Sequence, residues 1–208
     1  MRRPRFIAEQ ARHAKGPLGR LIAFIMARET WAENLRAIDA LDIQPNDQVL
    51  DIGCGHGRSL SALATRASRG CAIGIDPSDL MVQIAVERNR ALVRAGRAKV
   101  FIATASDLPF SDAAFDKAVC VHVLYFWKDL PSSFREMARV LKPGAKLSLV
   151  FRSAQHTAAV QAFPSDVYRF PAYGEVETAL TAAGFVVDRP AEQELGARAH
   201  LLLATRLP

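Results

Sequence analysis

The sequence predicts an α/β protein: a seven-stranded, mostly parallel sheet with the last strand antiparallel, helices on both faces, and a helical extension at the N-terminus. Three observations carry this. From residue 47 onward, short apolar runs alternate with stretches of helical periodicity, which builds parallel strands joined by crossover helices. The first apolar run ends in three closely spaced glycines, Gly53, Gly55 and Gly57. Such a strand-to-helix turn binds ligands at the carboxyl edge of a parallel sheet. The last two apolar runs, residues 185–187 and 199–204, are separated by a segment in which no helix fits, so the seventh strand is expected to insert antiparallel beside the sixth.

The elements follow in order. Residues 48–52 form the first strand. Leu60, Leu63, Ala64 and Ala67 then recur at helical spacing, and Gly70 can end that helix. Residues 71–75 are the second strand. Ser78 or Asp79 can cap a helix with Leu80, Met81, Ile84, Ala91 and Leu92 inside, closed by Gly96. Strands three and four are residues 99–102 and 117–121. Leu130, Phe134, Met137 and Leu141 share the face of a helix ended by Pro143-Gly144. Residues 146–151 are strand five, and residues 175–183 a helix stopped by Gly184. Ahead of the sheet, residues 18–40 read as one amphipathic helix. Two regions are expected: residues 1–46, a basic arm and helix serving as lid or packing element, and residues 47–208, a ligand-binding domain.

Composition narrows the function classes. With 208 residues, 50% hydrophobic and 23% charged, the chain is long and apolar enough for one sizeable core, which excludes collagen-like and disordered classes. The net charge of +6 suggests an anionic partner until it is sorted by position. The first thirty residues hold seven basic and two acidic side chains, so the remainder is close to neutral. Cys54, Cys71 and Cys120 are odd in number and form no metal-ligand spacing. No disulfide framework or metal site is therefore expected, and a reducing cytoplasm fits. No apolar stretch reaches the roughly 18–20 residues that span a bilayer, and Arg2-Arg3 is not followed by a signal-peptide pattern.

The informative segment is Val49-Leu50-Asp51-Ile52-Gly53-Cys54-Gly55-His56-Gly57-Arg58. A dinucleotide fingerprint, G-x-G-x-x-G, would put its third glycine where Arg58 stands. The pattern is instead D-x-G-x-G-x-G. A carboxylate two residues before the first glycine suits a ligand with an ammonium group better than a pyrophosphate.

This segment resembles motif I of class I S-adenosylmethionine-dependent methyltransferases, and further pieces match in order. They are Gly74-Ile75-Asp76-Pro77-Ser78, Ala105-Ser106-Asp107-Leu108-Pro109-Phe110, Phe115-Asp116 and Leu141-Lys142-Pro143-Gly144-Ala145. The resemblance covers residues 47–206 and is nearest to the small-molecule methyltransferases of ubiquinone and menaquinone biosynthesis. It implies a Rossmann-like fold and S-adenosylmethionine as cofactor, with S-adenosylhomocysteine as product. It also implies roles. Asp51 would hold the cofactor's amino group. Gly53, Cys54, Gly55 and Gly57 would pass along its methionine and ribose portions. Asp76 would accept the ribose hydroxyls, Pro77 would pack on the adenine, and Asp107 would accept from the adenine amine, with Ser106 or Leu108 offering a backbone N–H.

Methyl transfer from a sulfonium needs alignment, and needs a base only where the acceptor loses a proton. His122 follows strand four where the resemblance places the methyl group, making it the base candidate, or else a packed neutral histidine shaping the pocket. Tyr125 could position the acceptor, and His56 is expected to point outward. The expected partner is a small, partly apolar acceptor, without an obligate protein partner. Residues 120–123, Cys-Val-His-Val, lack the pattern of enzymes that methylate base amines, which lowers a nucleic-acid substrate. The alternatives are an RNA-modifying methyltransferase using the basic N-terminus and a non-catalytic cofactor-binding module. The N-terminal face of Leu18, Leu21, Ile22, Ile25 and Met26 reads as a lid, a packing face or a peripheral membrane contact.

Overall fold

The central strands explain the sheet. In β1 (Gln48–Ile52), Leu50 and Ile52 point to one face, and Val49 and Asp51 to the other. β2 (Cys71–Asp76) is buried along its whole length. Both faces of these strands are covered, which is the condition for continuous apolar runs in a parallel sheet. The structure is a computed structural model and describes residues 3–188 and 199–208.

β1 pairs in parallel with β2 on one side and with β4 (Phe115–Val121) on the other. β3 (Ala98–Ile102) lies outside β2, and β5 (Leu141–Phe151) outside β4. β7 (His200–Arg206) runs antiparallel between β5 and β6 (Phe185–Asp188), giving the order β3-β2-β1-β4-β5-β7-β6. This is the expected seven-stranded arrangement. The residues expected to link strands six and seven lie outside the described residues. The strand order reverses at β1 and β4, and a crevice opens at such a point beyond the strands' carboxyl ends.

Two apolar layers hold the helices on. α3 (Trp31–Asp39) and α4 (Arg58–Arg66) place Ile38, Leu60 and Leu63 against Val49, Ala72, Val119 and Val150. α7 (Leu130–Val140) and α9 (Tyr173–Ala182) place Phe134, Met137 and Leu180 against Leu50, Ile52, Leu147 and Leu149. Each such side chain contributes about 1.5–3 kcal/mol on burial.

Several helices differ from expectation. The single helix over residues 18–40 is two, α2 (Gly16–Glu29) and α3, parted at Thr30, with a further α1 (Arg5–Arg12) ahead of them. Asn34 donates to the Thr30 carbonyl at 2.9 Å, fixing the break. The break lets α3 lie against β4 and β5, where Ala37 and Ile38 are fully buried, while α2 stays outside. The helix after β2 is also two, α5 (Asp79–Arg88) and α6 (Arg90–Arg94). Asn89 interrupts it because its side-chain amide donates to the carbonyls of Gly57 and Ala85, each at 2.8 Å. Ser78 caps α5 as expected, accepting from Met81 N at 3.4 Å. A short α8 (Thr157–Ala162) follows β5 without having announced itself by periodicity.

Candidate active site

The carboxyl ends of β1, β2 and β4 open into a cavity of about 550 Å³. Its floor is the glycine turn. Gly53 takes φ +73°, and its N–H and that of Cys54 both donate to the Ile75 carbonyl at 2.9 Å. A Cβ on Gly53 would stand 2.4 Å from Val123 Cγ1, so this position admits no side chain. Gly57 is the N-cap residue before α4, at φ +72°, where a Cβ would lie 2.7 Å from Ala85 Cβ. It shapes the turn and does not line the cavity, in contrast to the contact expected from sequence.

Two acidic side chains stand behind and beside this turn. Asp51 is 4% exposed and accepts a hydrogen bond from Ser59 Oγ; Ser59, not Asp51, reaches the cavity wall. Burial pushes the Asp51 carboxyl up to about 7, against the Ser59 hydrogen bond, and the neighbouring Asp76 adds to the rise. Asp76 accepts from Gly55 N at 3.0 Å and Ser78 N at 2.9 Å, one on each oxygen, and burial raises it to about 6. Among the described residues, no basic side chain forms an ion pair with either. Buried carboxylates without a cation are costly. A ligand bringing an ammonium and a pair of hydroxyls supplies what they lack, so S-adenosylmethionine fits this donor set.

The adenine end differs in part from expectation. Pro77 and Ser106 line the cavity, together with Ala103, Thr104 and Ala105. Asp107 is exposed and Leu108 is buried, and neither lines it. The Leu108 N–H already donates to Glu136 at 2.9 Å, and Arg139 grips the Leu108 and Phe110 carbonyls. That clamp turns the segment away from the cavity.

The opposite wall carries a network that sequence reasoning missed. His122 stands at φ +58°, rare for a residue with a side chain, with its N–H donating to the Val150 carbonyl at 2.8 Å. Its Nε2 lies 2.6 Å from Glu33 Oε2, and its Nδ1 lies 2.9 Å from the Tyr125 hydroxyl. The Tyr125 oxygen also accepts the Arg152 N–H at 2.6 Å, and Arg152 Nη2 donates to Glu33 Oε1 at 2.9 Å. The neutral arrangement consistent with these contacts has Tyr125 donating to Nδ1 and Nε2–H donating to Glu33. Burial lowers the His122 pKa, with Glu33 opposing and Arg152 adding to the shift. Burial also raises the Tyr125 pKa. Tyr125 is 4% exposed and does not line the cavity, so its hydroxyl meets His122 and not the space where an acceptor was expected. No local pattern could have flagged Glu33 or Arg152, which lie 89 and 30 residues from His122 in sequence.

Glu33 titrates below its ordinary value: burial pushes it up, and His122 and Arg152 outweigh that. A depressed carboxyl contributes stability above its unfolded pKa and loses it as pH falls through the folded one. Glu33→Gln is therefore expected to destabilise the protein at pH 7 by about 1–3 kcal/mol. The loss should begin to shrink as pH falls below 4.5 and go on shrinking through the lower folded value, as urea melts at pH 7, pH 4 and pH 3 would show.

His56 departs from its expected outward pose. It lines the cavity, its Nε2 is buried without a hydrogen-bond partner, and burial, then Arg88 and Arg58, lower its pKa to about 4. Trp31 lies in the cavity wall with the Arg58 guanidinium 4.0 Å over its ring. Val123, Phe126 and Trp127 extend the apolar wall beside His122.

Doubly wound sheet, glycine turn and acidic strand ends together define a cofactor-binding α/β domain. Residues 50–149 match the family described as methyltransferase domain. That region, a little under half of the chain, is a methyltransferase domain of the kind that uses S-adenosylmethionine. It is similar to the ubiquinone/menaquinone biosynthesis C-methyltransferase UbiE of Geotalea daltonii, 26% identical over 194 residues and 81% of each chain. It is also similar to the 2-phytyl-1,4-naphtoquinone methyltransferase of Synechococcus elongatus, 38% identical over 108 residues, 51% of this chain and 46% of the relative. The solved YcgJ protein of Bacillus subtilis shares the fold at TM-score 0.69 and 19% identity, over 84% of this chain and 98% of that one. The chain spans about half the length of several curated relatives it matches.

Proposed function

We propose that this chain transfers the methyl group of S-adenosylmethionine to a small, partly apolar acceptor by in-line displacement. The observation that carries this reading is the pair of buried carboxylates without cation partners, Asp51 and Asp76, at adjacent strand ends beside the glycine turn. The cofactor supplies a methyl group already activated on a sulfonium. The chain's own residues bind, align and keep the site dry, and alignment of this kind is worth roughly 7–11 kcal/mol at best.

Asp76 keeps lone pairs on both oxygens for the ribose hydroxyls, and Asp51 with Ser59 directs negative charge toward the ammonium. Gly53, Cys54 and Gly55 pass their backbone along the ligand, with Pro77 and Ser106 at the adenine end. Trp31, Val123, Phe126 and Trp127 support an apolar or aromatic acceptor. Both His122 nitrogens are engaged within the protein, which supports a positioning part for His122 and Tyr125. His122 acts as a base only if Glu33 or Tyr125 first releases a ring nitrogen. Three buried free cysteines are consistent with a reducing, cytoplasmic setting.

The test is transfer of labelled methyl from S-adenosylmethionine to a panel of phenols, quinols and aliphatic acids, with bulk tRNA alongside. Label in one small-molecule class, lost in Asp76→Ala, is the expected result. Intact cofactor binding with no transfer to any of them would favour the non-catalytic module, and label in tRNA alone would favour the RNA enzyme.

A further inference from the structure

The N-terminal helices present an apolar surface that the fold does not use. Ten large apolar side chains are exposed among the described residues, and four of them, Phe6, Leu18, Leu21 and Ile25, lie on α1 and α2. Leu18, Leu21 and Ile25 recur at spacings of three and four, so they form one stripe along α2. They are 45%, 56% and 48% exposed, whereas Ile22, one step round the helix, is 7% exposed and turned inward. The apolar face of α2 is thus only partly covered: its Ile22 edge turns toward the protein and its Leu18, Leu21 and Ile25 edge faces out. A helix that only packs on a sheet edge has no need of that outer edge.

Charge indicates what the outer side meets. Lys15 and Arg20 are exposed at and within α2, and Arg28 is exposed in its last turn. The first thirty residues carry most of the chain's net charge of +6. A second copy docking through the same face would bring these cations against their equivalents. The remainder of the chain is close to neutral in sum, so it brings no net negative charge to receive them. An apolar stripe flanked by arginines fits an anionic lipid surface, with leucine and isoleucine entering the acyl boundary and the cations meeting phosphates. No helix among the described residues is long and apolar enough to cross a membrane, so α2 would lie in the plane of the interface.

We infer that α1 and α2 form an in-plane docking surface for anionic phospholipid membranes. The surface is fixed to the body. The Arg3 N–H donates to the Ala162 carbonyl at 2.6 Å, Arg5 pairs with Asp166 at 3.3 Å, and Ser78 Oγ donates to the Ala14 carbonyl at 3.1 Å. The segment joining the two helices, with His13 and Ala14, also lines the cavity. Docking therefore sets the cavity's N-terminal wall beside the bilayer. The inference does not depend on methyl transfer and is tested without an acceptor.

The experiment is co-sedimentation of the full chain with vesicles of phosphatidylcholine alone, or mixed equally with phosphatidylglycerol. Binding to the mixed vesicles, absent on phosphatidylcholine and lost at high salt, is expected. Leu21→Glu should lower binding about ten-fold and Arg20→Gln about five-fold. Both should leave the melting temperature and S-adenosylhomocysteine binding unchanged, since both side chains point outward. No sedimentation of the intact chain, or equal sedimentation on both vesicles unaffected by Leu21→Glu, would overturn the inference. So would a dimer in solution that Leu21→Glu splits, which would assign the face to a second copy.

Discussion

Asp51→Asn is expected to raise the melting temperature of the cofactor-free protein at pH 8 by several degrees and to weaken its response to S-adenosylhomocysteine. The carboxyl is pushed from 3.8 to about 7 in the folded state by burial. A group raised in this way contributes stability in full below its unfolded pKa, and that contribution is lost as pH rises through the folded one. The wild-type apoprotein therefore weakens between about pH 4 and pH 7, by on the order of 4 kcal/mol if the whole shift is expressed. Asparagine keeps the shape and carries no charge, so the variant's advantage should grow across the same window. The ligand reverses the sign. Its ammonium favours the ionised carboxylate, so the wild-type protein should bind S-adenosylhomocysteine more tightly at pH 8 than at pH 6, and the variant weakly at both. Melting curves over that range, with and without ligand, check both halves. A variant less stable than wild type at pH 8, or one that keeps full ligand stabilisation, would contradict the assignment.

Gly53→Ala should be the most damaging single-methyl change in the site. Two separate effects add. The residue sits at φ +73°, a conformation that costs an L-residue roughly 1–2 kcal/mol. The new methyl would also stand 2.4 Å from Val123 Cγ1, which must move. Val123 follows His122, so its displacement strains the Glu33 and Tyr125 contacts and narrows the cofactor's path. A loss of at least ten-fold in S-adenosylhomocysteine affinity is expected, with a lower melting temperature. Gly144→Ala is the control: it also has positive φ, at +77°, but nothing lies within 4 Å of its Cβ, so it should cost stability and leave affinity unchanged.

The fold was legible because its signals are local. Apolar runs such as residues 71–75, helix caps such as Ser78 and turn glycines each specify their own few residues. The glycine turn and the two strand-end aspartates beside the cavity were legible for the same reason, since they are contiguous motifs. What the sequence hid depends on contacts between distant segments. Asn89 breaks a helix to reach Gly57, and Thr30 breaks another so that α3 can lie on β4 and β5. The clamp of Glu136 and Arg139 turns Asp107 and Leu108 from the cavity, overriding a motif that pointed them inward. Glu33 reaches His122 only once α3 has docked, and Arg152 only once β5 has paired with β4. Residues of this kind show no period and no spacing, and only the assembled structure brings them together.

The central claim is that Asp51 and Asp76 form the binding site for the cationic, hydroxyl-bearing cofactor. Calorimetric titration with S-adenosylhomocysteine at pH 6.5, in two buffers of different ionisation enthalpy, tests it most directly. One-site binding with net proton release is expected, because binding lowers the raised Asp51 and Asp76 pKa values, and the release should fall in Asp51→Asn. Absence of binding, or binding with no proton release in the wild-type protein, would contradict it.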